Sequence, residues 1–196
     1  MRTKLNTEES GQALVELSLG LVLLCVFVFG IVDFGRAFYD VEVMNNLVGE
    51  GSSMASRGTS LPQTVTTIAN YAGADIKIST LGCVIVTSVT NNTVGSGQVV
   101  TGQSSTGGIC ASHPSRVGCL QGQGSCGSST ATLPPGPVVA LAGEAAGSAI
   151  YVTELFYTFN AITPLPSLLG STVLPSNLYS IAYYRGRVCI CAMLTL

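Results

Sequence analysis

Residues 10–37 decide the fold, and they read SGQALVELSLGLVLLCVFVFGIVDFGRA. The stretch 17–32 carries no charge, and apolar residues extend it upstream past Glu16. An apolar run of about 20 residues is long enough, at about 1.5 Å per residue, to cross the hydrocarbon core of a membrane. Arg2 and Lys4 precede the run, so the positive-inside rule predicts a cytoplasmic N-terminus and an extracytoplasmic main domain.

A cleaved secretory signal is the alternative interpretation of this run. Its apolar region would be about 7–15 residues long and would end at a small-x-small cleavage site. The run in this chain is longer, and residues 29–34 (FGIVDF) contain no good site of that kind. The pattern therefore favours a retained membrane span.

An apolar stripe continues the helical pattern beyond the span. Apolar residues recur at steps of three and four, with charged and polar residues between them, which is typical of an amphipathic helix. Glycines and serines after residue 48 weaken the pattern, so we expect one helix over 12–57. An anchor alone needs no such stripe. We predict that it packs against other copies through Phe34, Ala37, Phe38, Val41, Met44, Leu47 and Val48.

The composition excludes several functions. Charged residues make up 9% of the chain, against about 25% in an average soluble protein, and the net charge is −2. This excludes a charged disordered tail and leaves no basic surface for nucleic acid. With one His and isolated acids such as Asp75 and Glu144, we predict no catalytic residues, no cofactor and no small-molecule substrate. We expect Glu154, on a predicted strand, to lie at the surface or at an interface.

Glu16 lies at the inner edge of the apolar run. A carboxylate at the centre of a bilayer costs about 2.5 kcal/mol or more, and less near the interface. Glu16 therefore either reaches the cytoplasmic headgroups or pairs with a cation. Cleavage after Gly11 would supply that cation, because it would free the α-amino group of Gln12.

The motif around this position is specific. Residues 10–17 (SGQALVEL), followed by the apolar run, resemble a prepilin-peptidase site of the type IV pilin superfamily. The resemblance implies that Gly11 and Gln12 flank the cleaved bond. It also implies that Glu16, at mature position five, pairs with an N-terminal amine during assembly.

The following residues resemble one branch of that superfamily. Residues 29–37 (FGIVDFGRA) and 48–51 (VGEG) are similar to the TadE-like pseudopilins, or minor pilins, of tight-adherence (Flp) pilus systems. Near the C-terminus, residues 151–159 (YVTELFYTF) and 181–187 (IAYYRGR) resemble that family's closing strands. The implied partners are other pilin-like subunits, a prepilin peptidase, the Tad assembly machinery and membrane lipid.

These patterns divide the chain into three parts. We predict a cytoplasmic leader at 1–11, the transmembrane and amphipathic helix at 12–57, and a β-rich extracytoplasmic domain at 58–196. Strand patterns around 83–89, 149–159 and from 180 onwards predict a small antiparallel sheet, so the fold class is α+β. Residues 95–136 hold ten glycines and are predicted to form a loop-like insertion without strands.

Seven cysteines in a chain with one His favour an oxidising compartment over a metal site. Six of them lie outside the predicted span, which allows fifteen pairings, and each disulfide would contribute about 2–4 kcal/mol. Our preferred picture ties the final strand both to the insertion and to the Cys83 strand. A metal site is the alternative, but the C-x2-C spacing of such sites is missing. The disulfide candidates are Cys83, Cys110, Cys119, Cys126, Cys189 and Cys191.

Two functions fit these features. The first is a pilin-like structural subunit that assembles by its N-terminal helix into or at the base of a Tad-type surface pilus used in adhesion. The second is a permanently anchored extracytoplasmic adhesion module that is neither processed nor assembled. The N-terminal helix would hold either protein in the cytoplasmic membrane.

Overall fold

The computed structural model describes residues 7–73, 76–91, 98–118, 131, 148–164 and 176–186. These residues fall into two compact units. The first unit comprises Met1–Phe38 and Asn160–Ser176, and the second comprises Tyr39–Phe159 and Asn177–Leu196. The first unit contains the membrane-span candidate, and the second contains the β-sheet.

The first element is α1 (Thr7–Ser56), a helix of 50 residues. No proline interrupts it, and Leu, a strong helix former, is the commonest residue of its apolar first half. Gly58 ends the helix with φ +100°, a conformation that costs glycine nothing. The Gly58 N–H donates to the Ala55 carbonyl and the Thr59 N–H donates to the Met54 carbonyl. These two bonds form a Schellman motif, which satisfies carbonyls that the helix end would leave unpaired.

Two shorter helices follow α1. The helix α2 (Leu61–Tyr71) has a proline in its first turn, where the missing N–H costs no hydrogen bond. It buries Thr64, Val65 and Ile68. The helix α3 (Ile78–Leu81) is one turn long and leads directly into the sheet.

The sheet has four antiparallel strands in the order β2-β1-β3-β4. They are β1 (Gly82–Asn91), β2 (Gln98–Thr106), β3 (Ala149–Thr158) and β4 (Asn177–Arg185). The central strands β1 and β3 are almost wholly buried, whereas the edge strands β2 and β4 are partly exposed. The fold class is therefore α+β, as predicted.

The prediction of a strand-free insertion at 95–136 is wrong for its first part. β2 lies inside that range and pairs with β1 along most of its length, with a register shift between Ser88 and Val89. Its sequence, QVVTGQSST, is too polar to show the period of a half-buried strand. An edge strand needs no such pattern, because pairing with β1 supplies its hydrogen bonds and one face stays in solvent.

The two faces of the sheet are covered by different parts of the second unit. One face packs against the end of α1. Gly51 of α1 lies so close to Thr153 of β3 that a Cβ added to Gly51 would be 3.1 Å from the Thr153 side chain. The opposite face carries an apolar cluster of Val89, Val100, Val117, Ala131, Ile150 and Val152. A second cluster on that face joins Cys83, Ile85 and Phe156 to Ile109 and Cys110 of the insertion. The insertion thus supplies part of the core on this face of the sheet.

A disulfide joins Cys83 of β1 to Cys110, which confirms a stapled insertion. The expected link from the Cys83 strand to the final strand is wrong, because Cys83 is already bonded to the insertion. The physical reason is proximity, since the chain returns past β1 directly after β2 and brings the two Cα atoms within 4.9 Å. The candidates Cys119, Cys126, Cys189 and Cys191 lie outside the described residues, as do residues 1–6 of the predicted leader.

Candidate functional site

The surface of α1 over residues 11–32 is apolar and exposed. Its most apolar window has a mean hydropathy of 2.6, and none of that window is buried. Side chains as large as Phe27 and Ile31 are 61% and 74% exposed. In the described part of the chain, α1 is the one helix that is long and apolar enough to cross a membrane. Unburied apolar surface of this extent needs lipid or another helix to cover it.

Gly11, Gln12 and Glu16 all lie exposed on α1. Residues four apart in a helix face the same side, so Glu16 lies one turn from Gln12. Glu16 lines a shallow groove together with Ala13, Leu17 and Gly20. Because α1 begins at Thr7, the Gly11–Gln12 peptide bond lies inside the helix. Glycine lowers helix stability by about 1 kcal/mol relative to alanine, so Gly11 weakens the helix locally at this bond.

A buried carboxylate lies at the outer end of the apolar run. Asp33 is fully buried, and its Oδ1 accepts a hydrogen bond from the backbone N–H of Ile162 at 3.1 Å. Its Oδ2 accepts a bond from the Thr163 hydroxyl. One helical turn further, the Arg36 guanidinium donates to the Asn160 carbonyl at 3.4 Å. These bonds hold the 160–163 segment on the helix within the first unit.

Residues 11–53 match the TadE-like protein family. The match confirms the resemblance that the N-terminal motif predicts. No curated protein and no solved structure matches the chain. The TadE-like segment covers α1 almost to its end, and the C-terminal part of the resemblance lies outside it.

The residues of the predicted packing stripe, which lies in the TadE-like segment, differ in solvent exposure. Met44 and Val48 are fully buried within this chain, and Ala37 is nearly so. Phe34 and Phe38 are exposed, the latter at 73%. Packing of the stripe against other copies therefore stays a prediction for the exposed members, while Met44 and Val48 already belong to the core.

Ser52, also in the TadE-like segment, joins α1 to the sheet. Its hydroxyl donates to the Ala182 carbonyl at 2.8 Å and accepts from the Thr153 N–H at 3.1 Å. Thr153 and Ala182 are register partners on β3 and β4, so the hydroxyl bridges the two strands. Beside it, a Cβ on Gly51 would lie 2.3 Å from a methyl group of the buried Ile68, so a larger residue there would have to displace the Ile68 side chain.

A second buried carboxylate lies outside the TadE-like segment. Glu154 on β3 is fully buried, so the prediction of a surface or interface position is wrong. Its Oε1 accepts hydrogen bonds from the backbone N–H of Arg116 at 3.0 Å and from the Tyr179 hydroxyl at 2.9 Å. Its Oε2 accepts a hydrogen bond from the Ser115 hydroxyl. Three donors offset the cost of burying the charge, which explains how an acid can occupy a core strand.

Aromatic contacts surround the Glu154 carboxylate. The Arg116 guanidinium lies 3.9 Å from the centroid of the Tyr179 ring, and His113 stacks on Phe156 at 5.4 Å. Burial, with the nearby Glu154 charge and its hydrogen bond, raises the pKa of Tyr179. The neutral phenol is therefore kept as a donor to the carboxylate.

The hydrogen-bonded cluster around Glu154 has a structural role. The Glu154 carboxylate is occupied by donors from Ser115, Arg116 and Tyr179, which tie the insertion to the sheet. Among the described residues, no group of three or more His, Cys, Asp or Glu side chains could hold a metal. The TadE-like family is structural rather than enzymatic.

Sequence reasoning missed the roles of Asp33, Ser52 and Glu154. Asp33 and Glu154 are each polar residues amid apolar neighbours, which is a signal of a satisfied buried group, whereas Ser52 lies between Gly51 and Ser53 and gives no such signal. The partners lie between 25 and 130 residues away in sequence, so no local pattern identifies them.

Proposed function

We propose that this chain is a pilin-like subunit, a TadE-like minor pilin or pseudopilin, that assembles by its N-terminal helix into or at the base of a Tad-type adhesive pilus. The observation that carries the proposal is the uncovered apolar surface of α1, in which Glu16 is the one charged residue between positions 11 and 32. The cytoplasmic membrane covers this surface before assembly, and other subunits cover it afterwards.

In this proposal a prepilin peptidase cuts between Gly11 and Gln12. The new α-amino group neutralises Glu16 of its own or a neighbouring chain, which lets the helix enter an apolar filament core. An unpaired carboxylate there would cost several kcal/mol. The disulfide between Cys83 and Cys110 is consistent with a main domain in an oxidising, extracytoplasmic compartment.

The processing step is tested by mass spectrometry of the chain from its native membrane. We expect a mature N-terminus at Gln12. A chain that starts at Met1 in a functional protein would contradict processing and would favour the permanently anchored adhesion module.

The charge-pairing step is tested by Glu16→Gln and Glu16→Ala, with Glu42→Gln as the matched control. Glu42 is an exposed acid on the same helix but outside the apolar run. We expect both Glu16 variants to insert into the membrane normally and to be at least tenfold depleted from sheared surface filaments. Equal incorporation of Glu16→Gln and Glu42→Gln would show that the Glu16 charge plays no part in assembly.

A further inference from the structure

A groove crosses one face of the sheet within the second unit. Its floor is a row of residues that are register partners on the four strands: Gly102, Ser88, Tyr151 and Tyr184. Its wall is the end of α1 and the segment that follows, from Ser53 to Leu61. With strands about 4.8 Å apart, a row of four extends about 14 Å. We call this feature the Tyr151 groove.

Two cavities form the Tyr151 groove. The larger has a volume of about 730 Å³ and the smaller about 340 Å³, and Gly58 and Tyr151 line both. Ligand sites in proteins commonly have volumes of about 300–1,000 Å³. The shared lining residues indicate one continuous site that suits an extended ligand.

The two ends of the Tyr151 groove differ in charge. Arg57 and Arg185 line the larger cavity, and no Asp or Glu is among the described residues that line either cavity. The described residues of the second unit include four Lys or Arg side chains, and two of them meet at this end. Arg57 donates one bond to Ser53, and a guanidinium has five N–H donors, so further donors are left for a ligand. Arginine binds carboxylates in a forked geometry.

The rest of the Tyr151 groove offers hydroxyl groups and aromatic rings. Ser88 and Thr101 hydrogen-bond to each other at 3.0 Å, and Thr59 and Ser60 lie on the wall of the same smaller cavity. A hydroxyl both donates and accepts, as the hydroxyls of a sugar do. Tyr184 is 49% exposed and presents a rigid ring with a polar edge.

We propose that the Tyr151 groove binds an acidic oligosaccharide, with a sugar carboxylate at Arg57 and Arg185 and the neutral part of the chain along Tyr151, Ser88 and Thr101. An acidic peptide is the competing ligand. The lining favours the sugar, because Ser, Thr, Tyr and Gly predominate and large apolar side chains that would anchor a peptide are few. The proposal does not depend on cleavage after Gly11, so the uncleaved chain should bind as well.

The test uses the full chain in micelles of an uncharged detergent and isothermal titration calorimetry. The probes are tetragalacturonate, the neutral tetrasaccharide maltotetraose and tetraglutamate. We expect tetragalacturonate to bind at least tenfold more tightly than either of the others, and more weakly as sodium chloride rises from 50 to 500 mM. Equal affinity for maltotetraose or for tetraglutamate would overturn the proposal.

Substitutions locate the site. We expect Arg57→Gln and Arg185→Gln each to weaken tetragalacturonate binding roughly tenfold, the loss for one charge-assisted bond. Tyr184→Ala should weaken it as well, and Tyr184→Phe, which keeps the ring, should weaken it less. Lys77→Gln removes an exposed cation outside the Tyr151 groove and is the matched control. Equal losses in Lys77→Gln and the arginine variants, with unchanged circular dichroism, would show diffuse charge attraction and refute the site.

Discussion

At the scale of single residues, two buried carboxylates determine which distant segments pack together. Asp33 and Glu154 are both fully buried, and each accepts bonds from a segment distant in sequence. A buried polar group that loses its partner costs about 1–3 kcal/mol, and more when it is charged. These residues therefore specify which loop lies against which element, and neither is available as a general acid or base.

Tyr179 gives this cluster a pH dependence. Its pKa is raised by burial and by the Glu154 carboxylate, while the unfolded value is about 10. A group whose folded pKa is raised contributes stability that is fully present below the unfolded pKa. We expect the contribution of Tyr179 to the free energy of unfolding, measured by urea titration, to be constant below about pH 10 and to be lost as the pH rises further.

The control for this prediction is Tyr179→Phe, which removes the titrating group. The loss of stability between pH 9 and 11 should be smaller in this variant than in the unchanged chain. Identical losses in the two proteins would assign the alkaline transition to other groups.

At the scale of elements, α1 serves two environments. Its first half has apolar side chains in the open, whereas Met44 and Val48 near its end are buried. The same period of three and four residues runs through both halves, so the periodicity alone did not separate core packing from surface packing. Which apolar residues of α1 are buried depends on where the sheet packs against the helix, and the helix sequence alone does not determine that.

The attachment of α1 to the sheet rests on Ser52. Ser52→Ala removes the hydroxyl that lies between the Thr153 N–H and the Ala182 carbonyl, so the buried Thr153 N–H and the partly buried Ala182 carbonyl both lose this partner. We expect a loss of about 1–3 kcal/mol in the free energy of unfolding. Thr66→Ala, which removes an exposed hydroxyl bonded within its own helix, should change stability by less than about 0.5 kcal/mol. A loss in Ser52→Ala no larger than in this control would contradict the bridging role.

At the scale of the whole molecule, the insertion packs into the core on one face of the sheet and is not a separate appendage. The Cys83–Cys110 disulfide closes a loop with a sequence separation of 27, for which chain entropy gives about 3.5 kcal/mol. We expect the double variant Cys83→Ala, Cys110→Ala to lose about 2–4 kcal/mol of unfolding free energy in denaturant titration.

The matched control is Cys25→Ala, since Cys25 is an exposed free thiol on α1. This variant should unfold like the unchanged chain. A double variant as stable as Cys25→Ala would mean that the Glu154 bonds and the apolar clusters hold the insertion without the disulfide.

The sequence alone determined the long helix, the three strands with an apolar or alternating pattern, the α+β class and the TadE-like N-terminal motif. These features are local, because helix formation, membrane-scale hydropathy and β-branched runs depend on neighbouring residues. Tertiary structure alone decided the polar edge strand β2, the Cys83–Cys110 pairing and the burial of Glu154. It also decided the Tyr151 groove, whose floor combines one residue from each of four strands. The physical reason is that each of these features depends on contacts between segments far apart in the chain, which become neighbours only when the sheet has formed.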